Sequence, residues 1–582
     1  MKITDVLKPK SKSEINTIIK NYLGRFEDTF LPNGWTWRKG QKEAVEQIIN
    51  TYLENKYHVV ILDAPTGAGK SLIAMASAFI LNEMGKKGYV LTSEISLQDQ
   101  YEFDVRRFKL SWGSVKGVDN YLCIDNLEKH SLGTCKIRNI NPKKMGCYSE
   151  CPYFSARDFA YNSDTAILNY NYWLIMQNSD KGYFPARDFT ICDEAQKILN
   201  IVQNHYSPRF TKNVIEKLQK LSDFFKLHNV KDHEQDVGVI KLSLKELWKT
   251  ENQDTIFHYL CYIESVLTSF SSSITILKDK VKKDYPNKKP PREWRNALFI
   301  SDWVKDIHCK VEDYNKIIKK TSTRNIVKNP TSDEELTFNC LEESYMMNSY
   351  FHQYTGFTIL MSATFSDPRE YMRNMNIKGA KYIKMESLFD FSKSPIYYYP
   401  KRRMSYKHID KNRDWLYAKI NEIIEKHEGE RGIIHSVSYD LTKKINENLT
   451  PKNRKRVFVY SGTEEKRKVL DMMKITKGKI IMGPSLTTGL DLYDDLARFL
   501  IFVKTPYPSL ADRFIKTKMN INPLWYKWQT VISIIQGLGR PIRNKEDWCV
   551  SYYLDGALSD LIHNNRNLFS QELLNRIKII DE

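Results

Sequence analysis

Short, continuous apolar runs, each closed by a small or polar residue, recur in two separated regions of the chain. In the first region they fall at residues 58–62, 89–92, 189–192 and 357–361. In the second they fall at 432–435, 457–460, 480–483, 499–503 and 549–554. Runs this short, without polar alternation, predict parallel strands covered on both faces. With helical stretches between them they make two α/β domains. Two stretches interrupt the first set. Residues 113–161 show little periodicity. Residues 199–354 read as mostly helical, with Ile256, Leu260, Ile263, Leu267 and Phe270 at helical spacing. Inside that stretch, residues 278–295 are basic and broken by prolines. They predict an exposed loop, either a solvated charge run or a nucleic-acid contact.

Length and charge narrow the class. A chain of 582 residues predicts roughly three to five domains. Lysine and arginine number 89 against 70 aspartates and glutamates, a net charge of +19. Such an excess points to a polyanionic partner, nucleic acid or an anionic membrane surface. No apolar run in the sequence approaches the ~18–20 residues of a spanning helix, and the N-terminus lacks a signal-type apolar core. The chain is therefore expected in the cytoplasm, with no membrane partner. Its nine cysteines would be reduced there, so a group of them reads as a metal site before a disulfide framework. The richness in lysine, asparagine and isoleucine suits an AT-rich bacterial or phage genome.

The segment Ala64-Pro65-Thr66-Gly67-Ala68-Gly69-Lys70-Ser71 follows a predicted strand and precedes a predicted helix. This is a phosphate-binding loop with alanine at the usual first glycine. Gly67 and Gly69 let backbone N–H groups wrap phosphates, Lys70 neutralises the β/γ charge, and the Ser71 hydroxyl ligates Mg²⁺. A second strand runs into Asp193-Glu194-Ala195-Gln196. Asp193 suits Mg²⁺, and Glu194 suits the base that activates water.

The order of motifs resembles a superfamily 2 helicase, and more narrowly the iron–sulfur group that includes DinG and XPD. Arg38-x-x-Gln41 resembles the adenine-reading element. Residues 92–100, TSEISLQDQ, resemble motif Ia, and Ser362-Ala-Thr364 resembles motif III. Residues 481–491, IMGPSLTTGLD, resemble motif V and end on Asp491. They are followed by KTPYPSLAD at 504–512. Residues 536–543, QGLGRPIR, resemble the arginine-finger motif VI, with Gln536, Arg540 and Arg543. The resemblance implies two RecA-like parallel-sheet motor domains with ATP between them, Arg540 and Arg543 reaching the γ-phosphate, and Asp491 and Gln536 coupling motion to the site. It implies motor domain 1 at 1–112, 162–198 and 355–375, an iron–sulfur domain at 113–161, a helical Arch at 199–354, and motor domain 2 at 376–582. One departure is Gln196, where the family usually carries histidine. Glutamine can still bond both a γ-phosphate and Ser362-Ala-Thr364, without a positive charge.

Cys123, Cys135, Cys147 and Cys151 are separated by eleven, eleven and three residues, with Pro152 after the last. GVDNYLC at 117–123 and CPYF at 151–154 resemble the family's iron–sulfur insert. Four thiolates suit a 4Fe–4S cluster, and structural zinc accepts the same set. The resemblance further implies single-stranded DNA crossing both motor domains and passing between the cluster domain and the Arch. Candidate strand contacts are Thr92, Ser93, Asn169, Tyr170, Ser436 and Ser485. Tyr172 and Trp173 read either as base-stacking or as core residues. The expected function is an ATP-dependent DNA helicase, a monomer moving 5′→3′ on single-stranded DNA and at DNA junctions, in repair, recombination or replication. Its alternatives are a translocase that removes R-loops or bound protein, an RNA helicase, and a non-catalytic binder with a dead ATPase fold.

Overall fold

The structure is a computed structural model. It describes residues 12–30, 36–137, 140–178, 183–285, 290–332, 334–387, 390–484, 486, 494–539, 541 and 547–582. Two seven-stranded sheets carry the fold. The first runs Lys381–Lys384, Val59–Asp63, Thr355–Ser362, Arg187–Cys192, Gly88–Thr92, Thr165–Asn169, Gly113–Ser114, every pair parallel. The second runs Val457–Val459, Ile480–Gly483, Gly432–His435, Phe499–Phe502, Val550–Tyr553, Ile396–Tyr398, Ile577–Ile579, again all parallel. Their central strands have no exposed face, because alternate residues enter cores on opposite sides. Val60 and Leu62 join one core, and Ile61 joins the other. That explains the unbroken apolar runs.

In the first sheet, Val59–Asp63, Thr355–Ser362 and Arg187–Cys192 are neighbours. Their carboxyl ends therefore bring the glycine loop, Ser362 and Asp193 to one edge, where open parallel sheets bind ligands. The short strand Gly113–Ser114 closes the sheet and opens the cysteine-bearing insert. The returning helix Pro152–Asn162 crosses it so closely that a Cβ on Gly113 would meet the Ala160 Cα at 2.3 Å.

Between the acid motif and Thr355–Ser362 lie the helices Asn213–Leu227, Glu234–Lys249, Gln253–Asp284 and Arg292–Lys320. The insert is not purely helical. Arg209–Thr211, Glu335–Cys340 and Ile326–Ser332 form an antiparallel sheet. The predicted basic loop also contracts. Helix continues to Asp284 and resumes at Arg292, because Leu277, Val281 and Trp294 are buried and extend the apolar stripe through the charged stretch. By length and composition Gln253–Asp284 is long and apolar enough to cross a membrane, although no unbroken apolar run in the sequence marks it. Its stripe from Ile256 to Val281 is spent inside the insert, largely against Arg292–Lys320.

The insert also reaches the second sheet's domain. Lys518 and Glu343 form a buried ion pair, and Arg513 Nη1 contacts both Glu251 carboxylate oxygens at 2.9 Å.

Candidate active site and cysteine cavity

The glycine loop is held from below. Gly67 and Gly69 sit at φ 77° and 76°, the left-handed region that glycine enters without a Cβ penalty. A Cβ on Gly69 would lie 2.2 Å from Gln41 Nε2. Gln41 is buried and fully engaged: Nε2 donates to Ala68 O at 2.8 Å, and Oε1 accepts from Arg38 N at 2.8 Å. Arg38 donates to Gly67 O. These two residues, read in the sequence as an adenine element, grip the loop itself. Ala64 N bonds to Ser362 O at 3.0 Å, tying the loop to the neighbouring strand. Lys70 and Ser71 begin the helix Lys70–Glu83 and are half-buried, with the Lys70 ammonium beside Asp193.

Asp193 is buried, and burial pushes its carboxyl above the ordinary range. Lys70, the Glu194 N–H and the Tyr101 hydroxyl pull it back. Glu194 N donates to Asp193 Oδ1 at 2.8 Å, and Tyr101 Oη donates to Oδ2 at 3.0 Å. Glu194 adopts φ 52°, ψ 44°. A non-glycine residue pays about 1–3 kcal/mol there.

Gln196 does not do what its position suggested. Its Nε2 donates to Glu194 Oε2 at 2.6 Å. Its buried Oε1 has no partner among the described residues, so it does not bridge to Ser362-Ala-Thr364. That contact comes from the second domain: Gln536 Nε2 lies 3.4 Å from Thr364 Oγ1. The helix Pro523–Leu538 also donates Trp528 Nε1 to Phe365 O at 2.8 Å, and a Cβ on Gly539 would lie 3.4 Å from Thr66 Oγ1. The segment leading to Arg540 thus abuts the glycine loop. Arg540, Arg543, Asp491 and Ser485 lie outside the described residues.

Tyr101 was missed in the sequence. It lies one residue beyond the stretch 92–100, on the buried face of the helix Ile95–Arg107, and no motif marks it. Tyr101→Phe is expected to raise the Mg²⁺ concentration that half-saturates ATPase by about tenfold, the scale of one hydrogen bond to a charged group. The acid limb should move too. Asp193 must be ionised to hold Mg²⁺, its carboxyl already stands high, and the Tyr101 donor lowers it. Removing the donor raises it further, so activity is lost at higher pH as pH falls. ATPase measured against Mg²⁺ and pH tests this, and unchanged curves would dismiss the role. A second expectation concerns Gln196→His. A ring N–H can still reach Glu194, but it titrates near about 6.5. The variant should acquire a pH dependence, and an altered DNA stimulation, that the parent lacks. Superimposable pH–rate and DNA-titration curves would count against a coupling role.

Several candidate strand contacts are not surface groups. Thr92, Tyr170 and Ser436 are buried. Tyr170 Oη donates to Asp193 O at 2.8 Å, and Ser436 Oγ pairs with Thr442 Oγ1 at 2.6 Å. Tyr172 and Trp173 are core residues. Trp173 is fully buried against Tyr89, Phe351 and Tyr354, which leaves neither ring a free face for a base. Ser93 and Asn169 remain half-buried.

Cys123, Cys135, Cys147 and Cys151 line one cavity with about 280 Å³ of empty space, part of it open to solvent. Three are buried and Cys147 is half-buried. Burial pushes the Cys135 thiol up to about 11, with the other three sulfurs close enough to add to the rise. Among the described residues no three His, Cys, Asp or Glu side chains gather tightly enough to hold a single ion. The thiols stand around a space.

The glycine loop at one strand end, the acid pair at another, and a helix of the second sheet's domain that contacts Thr364 and ends against the glycine loop are the anatomy of a two-domain nucleotide motor. Residues 420–575 match the helicase C-terminal domain family, and residues 35–135 match the family of the type III restriction enzyme res subunit. The chain is 22% identical to the ATP-dependent DNA helicase YoaA of Haemophilus influenzae, over 93% of this chain and 95% of that one. To YoaA of Escherichia coli it is 21% identical, over 90% and 92%. The chain is similar to superfamily 2 helicases of the DinG/XPD type. A solved XPD helicase shares its fold at a TM-score of 0.64 and 17% identity, over 94% of this chain and all of that one. The chemistry of this helicase is ATP hydrolysis. Nothing in these likenesses points to a phage.

Proposed function

We propose that this helicase couples ATP hydrolysis to 5′→3′ movement on single-stranded DNA in the cytoplasm and unwinds duplexes at DNA junctions as a monomer. The observation that carries the reading is the meeting of Gln536 and Gly539 with Thr364 and Thr66. The nucleotide loop and the arginine-finger segment belong to different sheets, so hydrolysis between them becomes relative motion. Lys70 neutralises the β/γ-phosphates. Ser71 and Asp193 would hold Mg²⁺, which supplies further charge neutralisation at the phosphates. Glu194, gripped by Gln196, takes the proton of the attacking water. Arg540 and Arg543 stabilise charge on the transferring phosphoryl, and Asp491 couples the motion to the site. The division at residues 112, 161, 198, 354 and 375 separates the motor halves from the cluster domain and the Arch.

Cys123, Cys135, Cys147 and Cys151 would hold a 4Fe–4S cluster. The fit rests on four thiols that line one cavity, a donor set that suits such a cluster. When bound, that group supplies ligand bonds that pin the insert.

Strand displacement on 5′-tailed, 3′-tailed and RNA–DNA hybrid substrates tests the reading. The 5′-tailed duplex should be unwound, and binding should weaken steeply with salt because phosphate contacts release counterions. Preference for a 3′ tail would overturn the polarity. Unwinding confined to the hybrid would favour R-loop removal.

A further inference from the structure

The cysteine cavity has one polar side chain that the thiols do not explain. His130 is fully buried, and neither ring nitrogen has a hydrogen-bond partner among the described residues. It lines the same cavity as the four cysteines. The other hydroxyls on that wall are engaged: Thr134 donates to Asp125, and Tyr148 Oη donates to Asp158 Oδ2 at 2.6 Å.

The local backbone fixes this placement. His130 N donates to Tyr121 O at 2.9 Å, Gly133 N donates to His130 O at 3.0 Å, and Leu122 pairs with Lys129 in an antiparallel bridge. The turn is tight enough that a Cβ on Gly133 would stand 3.0 Å from His130 O and 3.2 Å from Cys123 Sγ. Tyr153 and Phe154 pack the imidazole at ring-centroid distances of 4.8 and 5.0 Å. An apolar side chain would fill such a wall without leaving buried nitrogens unsatisfied. A neutral imidazole always carries one N–H donor, and sulfur is the acceptor this cavity offers.

We propose that His130 donates a hydrogen bond to a sulfur of the thiolate-held cluster, either a sulfide or a cysteine Sγ, and thereby raises its reduction potential. The inference rests on the iron–sulfur reading of the four cysteines. Its physical basis is that a donor beside the sulfurs stabilises the additional electron of the reduced state.

The test compares full-length wild type, His130→Leu and His130→Gln. Iron and sulfide are counted first, and then the potential is read by anaerobic dithionite titration followed by EPR. Iron-free wild type would sink the cluster itself, whatever His130 does. With iron in place, His130→Leu should shift the potential to more negative values, and His130→Gln, which keeps an N–H, should return it towards wild type. Pulsed EPR of the reduced wild type should show a weak nitrogen coupling that His130→Leu lacks. If His130→Leu loses its iron while His130→Gln keeps both iron and potential, donation is again supported. An unchanged potential in iron-loaded His130→Leu overturns the proposal. So does a strong nitrogen coupling, which would make His130 a ligand. Loss of iron from both variants overturns it as well, since donation would then not be what the site needs.

Discussion

Glu194→Gln is expected to bind ATP as the parent does and to hydrolyse it at least about a hundredfold more slowly, the lower end of what a positioned base contributes. The substitution preserves shape and removes only the proton acceptor. The partner carboxylate should not move, because Asp193 is fixed by the backbone N–H of residue 194 and by Tyr101. Lys70→Ala should fail differently. Removing the ammonium beside Asp193 leaves the phosphates without their fixed counter-charge and two carboxylates facing them, so ATPase should fall to background. Nucleotide binding by calorimetry and single-stranded-DNA-stimulated ATPase separate the two defects. Near-parental turnover in Lys70→Ala would remove the glycine loop from the mechanism, and in Glu194→Gln it would remove the base.

The parts of this site that need a local pattern were legible in the sequence. A strand, a glycine loop and a helix are contiguous, so residues 59–71 could be read in one pass. Most central strands were found to within a residue or two, because burial on both faces makes each an unbroken apolar run. Some other strands were not. Lys381–Lys384 and Ile577–Ile579, at sheet edges, are short and polar, and the internal strand Thr165–Asn169 has polar residues at both ends of a three-residue apolar run. The antiparallel sheet of the insert pairs Arg209–Thr211 with Glu335–Cys340 across more than a hundred residues, most of them helical, a long-range pairing that periodicity does not carry. The same holds for side-chain partners. Gln196 was placed correctly on the chain but given the wrong neighbour, since its nearest acceptor is two residues away and the Thr364 contact comes from Gln536. His130 and Tyr101 carry no motif. Only burial beside the cysteines and beside Asp193 distinguishes them.

Cys147→Ser is expected to abolish strand displacement while leaving DNA-independent ATPase within about twofold of the parent, the scatter of a substitution outside the catalytic unit. The insert of residues 113–161 is too short to build a large core, and ahead of its returning helix Pro152–Asn162 its described helical elements are brief: three-residue turns at Val118–Asn120, His130–Leu132 and Pro142–Lys144, and a four-residue helix at Thr134–Ile137. Its rigidity must therefore come from the ligand bonds that the four thiols would make, which add folding energy that burial cannot. Cys147 is the half-buried member of the set, so its replacement by serine disturbs packing least and tests ligation most directly. Opening a duplex costs about 0.6–2.2 kcal/mol of stacking per base-pair step, and an insert that yields under that load cannot hold two strands apart. ATP hydrolysis does not share the dependence, because Lys70, Asp193, Glu194 and Gln196 are held by the motor sheet and the Tyr101 helix. Paired ATPase and unwinding assays on the purified variant decide the matter, with iron analysis of both proteins. Full unwinding by an iron-free Cys147→Ser protein would show that the insert keeps its shape without the cluster, and loss of basal ATPase would show that the insert supports the nucleotide site.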